Sequence, residues 1–288
     1  MTLRHVKTPP GMCLFCGVAG SFKSREHIVP ESMGNDVVVL APGWVCDECN
    51  VAFSATENRA LSRSFWGLER ARLGVITKKG KPAIAKLGRV TYSALPHRPN
   101  TVLAEVHKAG PLMVWKDSSR TEAQAFIPFE REMAVDMSRV LLKMGIELVS
   151  VHSWTSTGRF PDCLDDAKTF ALKGEGLDWP MMILADVTIE SRLRSLLLQD
   201  QMAWREARAC SFDLFLHEID SELVFFFRYG SFIYAVPLRE RSTSWTKQLE
   251  QWGARFLAAP GPYAALSWPK DSVEPADETM PKALKETT

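Results

Sequence analysis

Polar and apolar positions along the first fifty residues alternate without a sustained period. Short apolar runs at 28–29 and 37–40 are separated by turn signals at 17–20, 34–35 and 42–43. This pattern predicts short extended or irregular pieces. From Cys46 to about Ser64 there is neither Gly nor Pro, and Val51, Phe53, Leu61 and Phe65 mark a buried side at roughly helical spacing. A loop rich in Lys and Gly follows at 77–82, then a strand at 89–93, and the two prolines within 94–100 suggest a boundary.

Beyond it the pattern predicts strands at 102–107 and 112–115 and a strong helix over 130–149. Met133, Met137, Val140, Leu141, Met144 and Leu148 give that helix one apolar face. Further helices are expected at 164–171, 190–199 and 244–258. Three antiparallel strands are expected at 214–219, 223–229 and 232–238, with turns at Asp220-Ser221 and Gly230-Ser231. The polar residues from 268 to 288 read as a tail without fixed structure. The fold class is therefore α+β, with a module at 1–92, an α+β domain built on an antiparallel sheet at 93–267, and the tail.

Composition adds little until charge is divided along the chain. The 288 residues carry a net charge of +1. Residues 1–92 hold 13 Lys and Arg against 7 Asp and Glu, whereas the remainder holds 22 against 27. Between Arg59 and Arg89 nine basic residues face one acid, Glu69. Polyanion binding, if present, belongs to the front of the chain. No apolar run approaches the roughly 18 residues that a membrane span needs, and residues 1–13 lack the apolar core of a signal peptide. A cytoplasmic protein without membrane partners is expected, and in that compartment cysteines serve more often as metal ligands than in disulfides.

Four of the six cysteines form two pairs, Cys13-x2-Cys16 and Cys46-x2-Cys49, separated by 29 residues. Two residues between cysteines let both thiolates reach one ion from a single turn, and two such turns supply the tetrahedral sulfur cage that structural Zn²⁺ prefers. Cys163 and Cys210 lack such spacing and are expected in the core. The insert between the pairs contains Glu26-His27-Ile28-Val29-Pro30, and the second pair runs directly into Asn50. A carboxylate beside a histidine, with a carboxamide at the start of a helix, can assemble a cation site next to a general base.

The runs CLFC, EHIVPESMGN and VCDECN together resemble the zinc-containing branch of the HNH endonucleases, over roughly residues 10–65. The resemblance implies a zinc-stapled ββα-metal module in which Cys13, Cys16, Cys46 and Cys49 hold the structural zinc. It implies further that Glu26 and Asn50 hold a catalytic Mg²⁺ or Mn²⁺, that His27 is the general base, and that Asn35 orients the base through backbone hydrogen bonds. The expected activity is hydrolysis of DNA phosphodiester bonds, with RNA as an alternative substrate. A neutral imidazole with a pKa near about 6.5 accepts a proton from water at physiological pH, and carboxylate and amide oxygens suit a hard divalent ion.

Each residue also admits a plainer role: His27 packed under Pro30, Glu26 a solvated or capping carboxylate, Asn35 a turn residue beside Gly34, Asn50 a helix cap. A zinc-finger-type module that binds nucleic acid without cutting it is the alternative function, and a redox or metal-sensing regulator the third. Arg59, Arg63, Lys78, Lys79 and Lys81, with Arg70, Arg72 and Lys86, are candidate phosphate contacts. Trp66 is expected in the core. The second domain shows no catalytic pattern; it is expected to shape access, oligomerise or bind a regulatory partner. By analogy with composite HNH proteins, a restriction or phage-defence effector is expected.

Overall fold

The computed structural model describes residues 9–35, 37–77, 79–87, 90–94, 102–107, 113–115, 123–125, 131–185, 212–230, 232–251 and 256–258. The helix expected at 190–199, the boundary residues 95–100, the polar tail, Lys78 and Cys210 lie outside them.

The first cysteine pair sits on a turn closed by Gly17 N donating to Cys13 O (2.9 Å) and Cys13 N donating to Val18 O (2.8 Å). Strand β1 (Glu26–His27) pairs antiparallel with β2 (Val39–Leu40), placing Glu26 opposite Leu40 and His27 opposite Val39. Between them Pro30 leads into a 3-10 turn, Glu31–Met33. The second cysteine pair opens α1 (Asp47–Arg63), whose N-terminus is capped by Cys46 accepting from Cys49 N. Cys49, Phe53, Thr56 and Ala60 are buried at intervals of three and four, the spacing of one helical face. Val51, expected on that face, is instead 72% exposed. Two residues from Phe53, it is carried about 200° around the helix axis.

Ser64 breaks the helix with extended backbone and caps α2 (Phe65–Arg72), its hydroxyl accepting from Trp66 N at 3.1 Å. A Cβ at Gly67 would lie 2.8 Å from both Ala85 Cβ and Leu61 O, so a glycine is what lets α2 approach β3 (Ile84–Leu87) this closely. With β4 (Val90–Ala94) and β5 (Val102–Val106), β3 forms a three-stranded antiparallel sheet. A separate pair joins β6 (Met113–Trp115) and β7 (Ala123–Ala125).

Helix α3 (Arg131–Thr157) passes the end expected near residue 149, because no Gly or Pro occurs between Val149 and Gly158, whose amide closes on Trp154 O at 2.9 Å. Residues 140–147 are buried without interruption, so the middle of α3 is enclosed on every side. Lys143 and Glu147 lie inside that stretch. Helix α3 packs on α1 and on α4 (Asp165–Lys173).

Strands β8 (Met182–Ala185), β9 (Phe212–Ile219), β10 (Glu222–Tyr229), β11 (Phe232–Pro237) and β12 (Phe256–Ala258) form an antiparallel sheet in the order β12-β8-β11-β10-β9. The last three strands expected from the pattern are β9 to β11. Asp220 and Ser221 both take positive φ (51° and 65°), as a two-residue hairpin turn demands. The helix expected over 244–258 is confined among described residues to α5 (Thr246–Gln251), and 256–258 pair with β8 instead. Side chains alternate across the sheet. Phe225, Phe227 and Tyr229 join the main core, while Val224 and Phe226 pack with Trp245 and Leu249. Helix α3 crosses this sheet at Gly145, where a Cβ would fall 2.9 Å from Phe225 Cβ and 2.8 Å from Leu238 Cδ2.

The result is a mixed helical and antiparallel-sheet fold whose main core runs from Cys13 to Leu238. Elements on both sides of residue 92 share that interior. Among the described residues no helix is long and apolar enough to cross a membrane.

Candidate functional site

The two cysteine turns converge. The sulfurs of Cys13, Cys16, Cys46 and Cys49 all lie within 4.8 Å of one another, and Cys16 Sγ and Cys46 Sγ are 3.7 Å apart. Four sulfurs each about 2.3 Å from one tetrahedral ion stand roughly 3.8 Å from each other, so the cluster could hold zinc. Cys46 N donates to Cys13 Sγ and Cys49 N to Cys46 Sγ, both at 3.4 Å, which fixes the sulfurs from the backbone. The hydrogen bond from the Cys49 thiol, the largest influence, holds the Cys13 thiol down to about 4, and the same bond pushes Cys49 up. Sulfurs this crowded favour a shared cation over four protons.

Next to this cluster a cleft of about 730 Å³ is lined by the turn after β1 and by one face of α1. It brings together Glu26, His27 and Asn50, the three residues singled out for chemistry. The imidazole of His27 is 29% exposed, with Nε2 3.7 Å from the Glu31 carboxylate. Asn50 occupies the first turn of α1, and its Nδ2 donates to Arg25 O at 3.4 Å, leaving the amide oxygen as the atom available to a cation.

Asn35 lines no part of the cleft; it is buried behind the loop that carries His27. Its Nδ2 donates to Val29 O (2.6 Å) and Val38 O (3.0 Å). Its Oδ1 accepts from Val37 N (3.0 Å) and Val38 N (2.8 Å). One side chain thus ties the loop between β1 and β2 by joining Val29 to Val37 and Val38, as a turn residue does.

Glu26 is buried, and α3 supplies its counterion. Lys143 Nζ, fully enclosed, lies 2.5 Å from Glu26 Oε1, 3.1 Å from Glu57 Oε1 and 3.5 Å from Glu147 Oε2. It also donates to His27 O at 2.9 Å. Burial alone would lower the lysine pKa, but Glu147, Glu26 and Glu57 together outweigh it and raise it well above its ordinary value. Burial raises the Glu147 carboxyl well above its ordinary range, and Lys143 only partly offsets this. Glu26 Oε2 is buried with no hydrogen-bond partner.

The basic run divides sharply. Arg59 is engaged by Asp136 in a two-point pair of 2.9 and 2.8 Å. Arg72 is paired with Glu69. Arg63, Lys81 and Lys86 are exposed, and Lys79 is exposed on the rim of the cleft. Arg70 is buried on the cleft wall. Trp66 is fully buried against Phe227 and Tyr234, as expected of a core aromatic. Cys163, expected in the core, is exposed in the turn before α4.

Sequence reasoning passed over Lys143, Glu57 and Glu147. A signal for them exists: Lys143 interrupts the apolar run VLLKMGIELV with Glu147 four residues on, and Glu57 lies seven residues, about two helical turns, after Asn50. Ser54 and Asn58 continue that face into the cleft. Compared with protein-family models, curated proteins and solved structures, the chain finds no match in any of the three.

Proposed function

We propose that the cleft is the active site of a metal-dependent endonuclease of the ββα-metal type, acting on DNA, and that the four cysteines hold a structural zinc ion. The observation that carries this reading is the convergence of His27, Glu26 and Asn50 on one cleft, beside a sulfur cluster of zinc dimensions. The resemblance of the CxxC, EHIVP and CxxCN runs to HNH nucleases gives the same three residues the same chemistry.

The donor set fits a second, hard cation: a carboxylate oxygen of Glu26 with no partner and the amide oxygen of Asn50. Bound there, Mg²⁺ or Mn²⁺ would supply electrostatic stabilisation of the phosphate and of the leaving 3′ oxygen. His27 accepts the proton of the attacking water, with the Glu31 carboxylate 3.7 Å from its Nε2. Lys143 holds His27 by its backbone carbonyl, and Asn35 holds the loop that follows it through Val29 O. Exposed Lys79 at the cleft, with exposed Arg63 and Lys81, would meet neighbouring phosphates with little sequence preference.

One observation favours the alternative, a zinc-stapled module that binds nucleic acid without cutting it: Lys143 already neutralises Glu26. Plasmid cleavage with Mg²⁺ or Mn²⁺ against EDTA, repeated with His27→Ala, separates the two.

A further inference from the structure

Arg70 is the buried basic residue of the cleft wall. It projects from α2 into the cleft wall, and only 6% of it is exposed. Its Nε donates to Ser32 O at 2.7 Å and its Nη1 to Leu61 O at 3.0 Å. These two bonds pin the guanidinium between the turn that follows His27 and the end of α1. Both acceptors are neutral. Among the described residues no carboxylate lies within ion-pair distance of Arg70, in contrast to Arg59 and Arg72, whose charges are matched by Asp136 and Glu69. The acids that line the cleft have other neighbours: Glu26 and Glu57 face Lys143, and Glu31 faces His27.

A buried cation without a counterion is costly, and a clamp on two carbonyls does not require a full charge. A guanidinium offers five N–H donors in a fixed fork, and two carbonyls use only part of it. The remainder is a pre-oriented group suited to a phosphate oxygen, on the same cleft as His27.

We propose that Arg70 is the phosphate-binding group of this cleft, donating to a non-bridging oxygen of a nucleic-acid phosphodiester held in front of His27. The inference takes the ligand class from the nuclease reading but stands on binding, so it is tested without cleavage. Fluorescence anisotropy of a short labelled DNA duplex, without added Mg²⁺ or Mn²⁺ and over a series of salt concentrations, is measured for zinc-loaded His27→Ala protein and for His27→Ala with Arg70→Gln or Arg70→Lys. Thermal melting and zinc content check that each variant is folded.

Loss of a charge-assisted bond predicts about tenfold to hundredfold weaker binding for Arg70→Gln. The slope of log K against log salt should fall by about one, a change that a merely structural role would not produce. Arg70→Lys keeps the charge but cannot hold two carbonyls and a phosphate together, so it should lose affinity while keeping the slope. Folded Arg70→Gln with unchanged affinity and slope overturns the proposal. Should Arg70→Gln fail to fold, Arg70→Lys binding as tightly as its parent overturns it as well. Absence of DNA binding by the parent protein overturns both this inference and the nuclease reading. Binding through Arg70 by a wild type that never cuts leaves the inference standing and removes only the catalysis.

Discussion

Lys143 Nζ lies 2.5 Å from Glu26 Oε1, although 117 positions separate the two residues and 116 separate the lysine from His27, whose carbonyl it also binds. Through this contact α3 supports two residues that line the N-terminal cleft, Glu26 and His27. The lysine fixes a candidate metal ligand and the backbone of the candidate base at once. Removing its charge leaves Glu26, Glu57 and Glu147 facing one another in a buried site. Breaking a buried pair in this way typically costs about 3–5 kcal/mol. Lys143→Met should therefore lower the unfolding free energy by an amount of that order, read from the midpoint and slope of urea unfolding at neutral pH.

Glu147 carries a pH prediction. Its carboxyl is raised by burial, so above the ordinary carboxyl value of 4.5 the folded state holds a proton that the unfolded state releases. Stability then declines as pH rises from 4.5 towards the raised value. Glu147→Gln, which mimics the protonated acid, removes that dependence. It should match the wild type near pH 4 and exceed it at pH 7; melting curves at the two pH values compare them, and a variant less stable at pH 7 contradicts this account of Glu147.

Zinc should be part of the fold. The reading predicts one zinc per chain by elemental analysis, and Cys46→Ser should lose it together with cooperative unfolding. Cys46 is both a cluster sulfur and the cap of α1, and such metal binding is folding free energy. A soluble, zinc-free Cys46→Ser protein that melts like the wild type would overturn the assignment.

Asn35 makes four hydrogen bonds to the loop backbone. Asn35→Ala leaves the part-buried Val37 and Val38 amides without their acceptor and the buried Val29 carbonyl without its donor, the last at about 1–3 kcal/mol for a buried group left unsatisfied. Hydrogen exchange should show faster opening at Val37 and Val38 than in the wild type, with α3 amides little changed.

Much of this was legible in the sequence. Cysteine spacing located the sulfur cluster, and the segment EHIVP with Asn50 located the cleft, because local chemistry at fixed spacing survives folding. Alternation gave β9 to β11 almost to the residue. What could not be read was long-range: which distant element would supply a counterion to Glu26, and which of nine basic residues would be neutralised. Arg59 and Arg70 look alike in the sequence, yet one meets Asp136 from α3 and the other meets two carbonyls. Likewise residues 256–258 look helical until β8 offers them an edge to pair with. Val51 was misplaced for a simpler reason, since it and Phe53 cannot share a helical face.

The most direct test of the central claim is cleavage of supercoiled plasmid by purified, zinc-loaded protein in Mg²⁺ or Mn²⁺, with EDTA and His27→Ala as controls. The account predicts nicking or linearisation that requires the divalent ion and falls by about 10²–10⁴-fold when the base is removed. Metal-independent cutting, or cutting by folded His27→Ala at the wild-type rate, would contradict it.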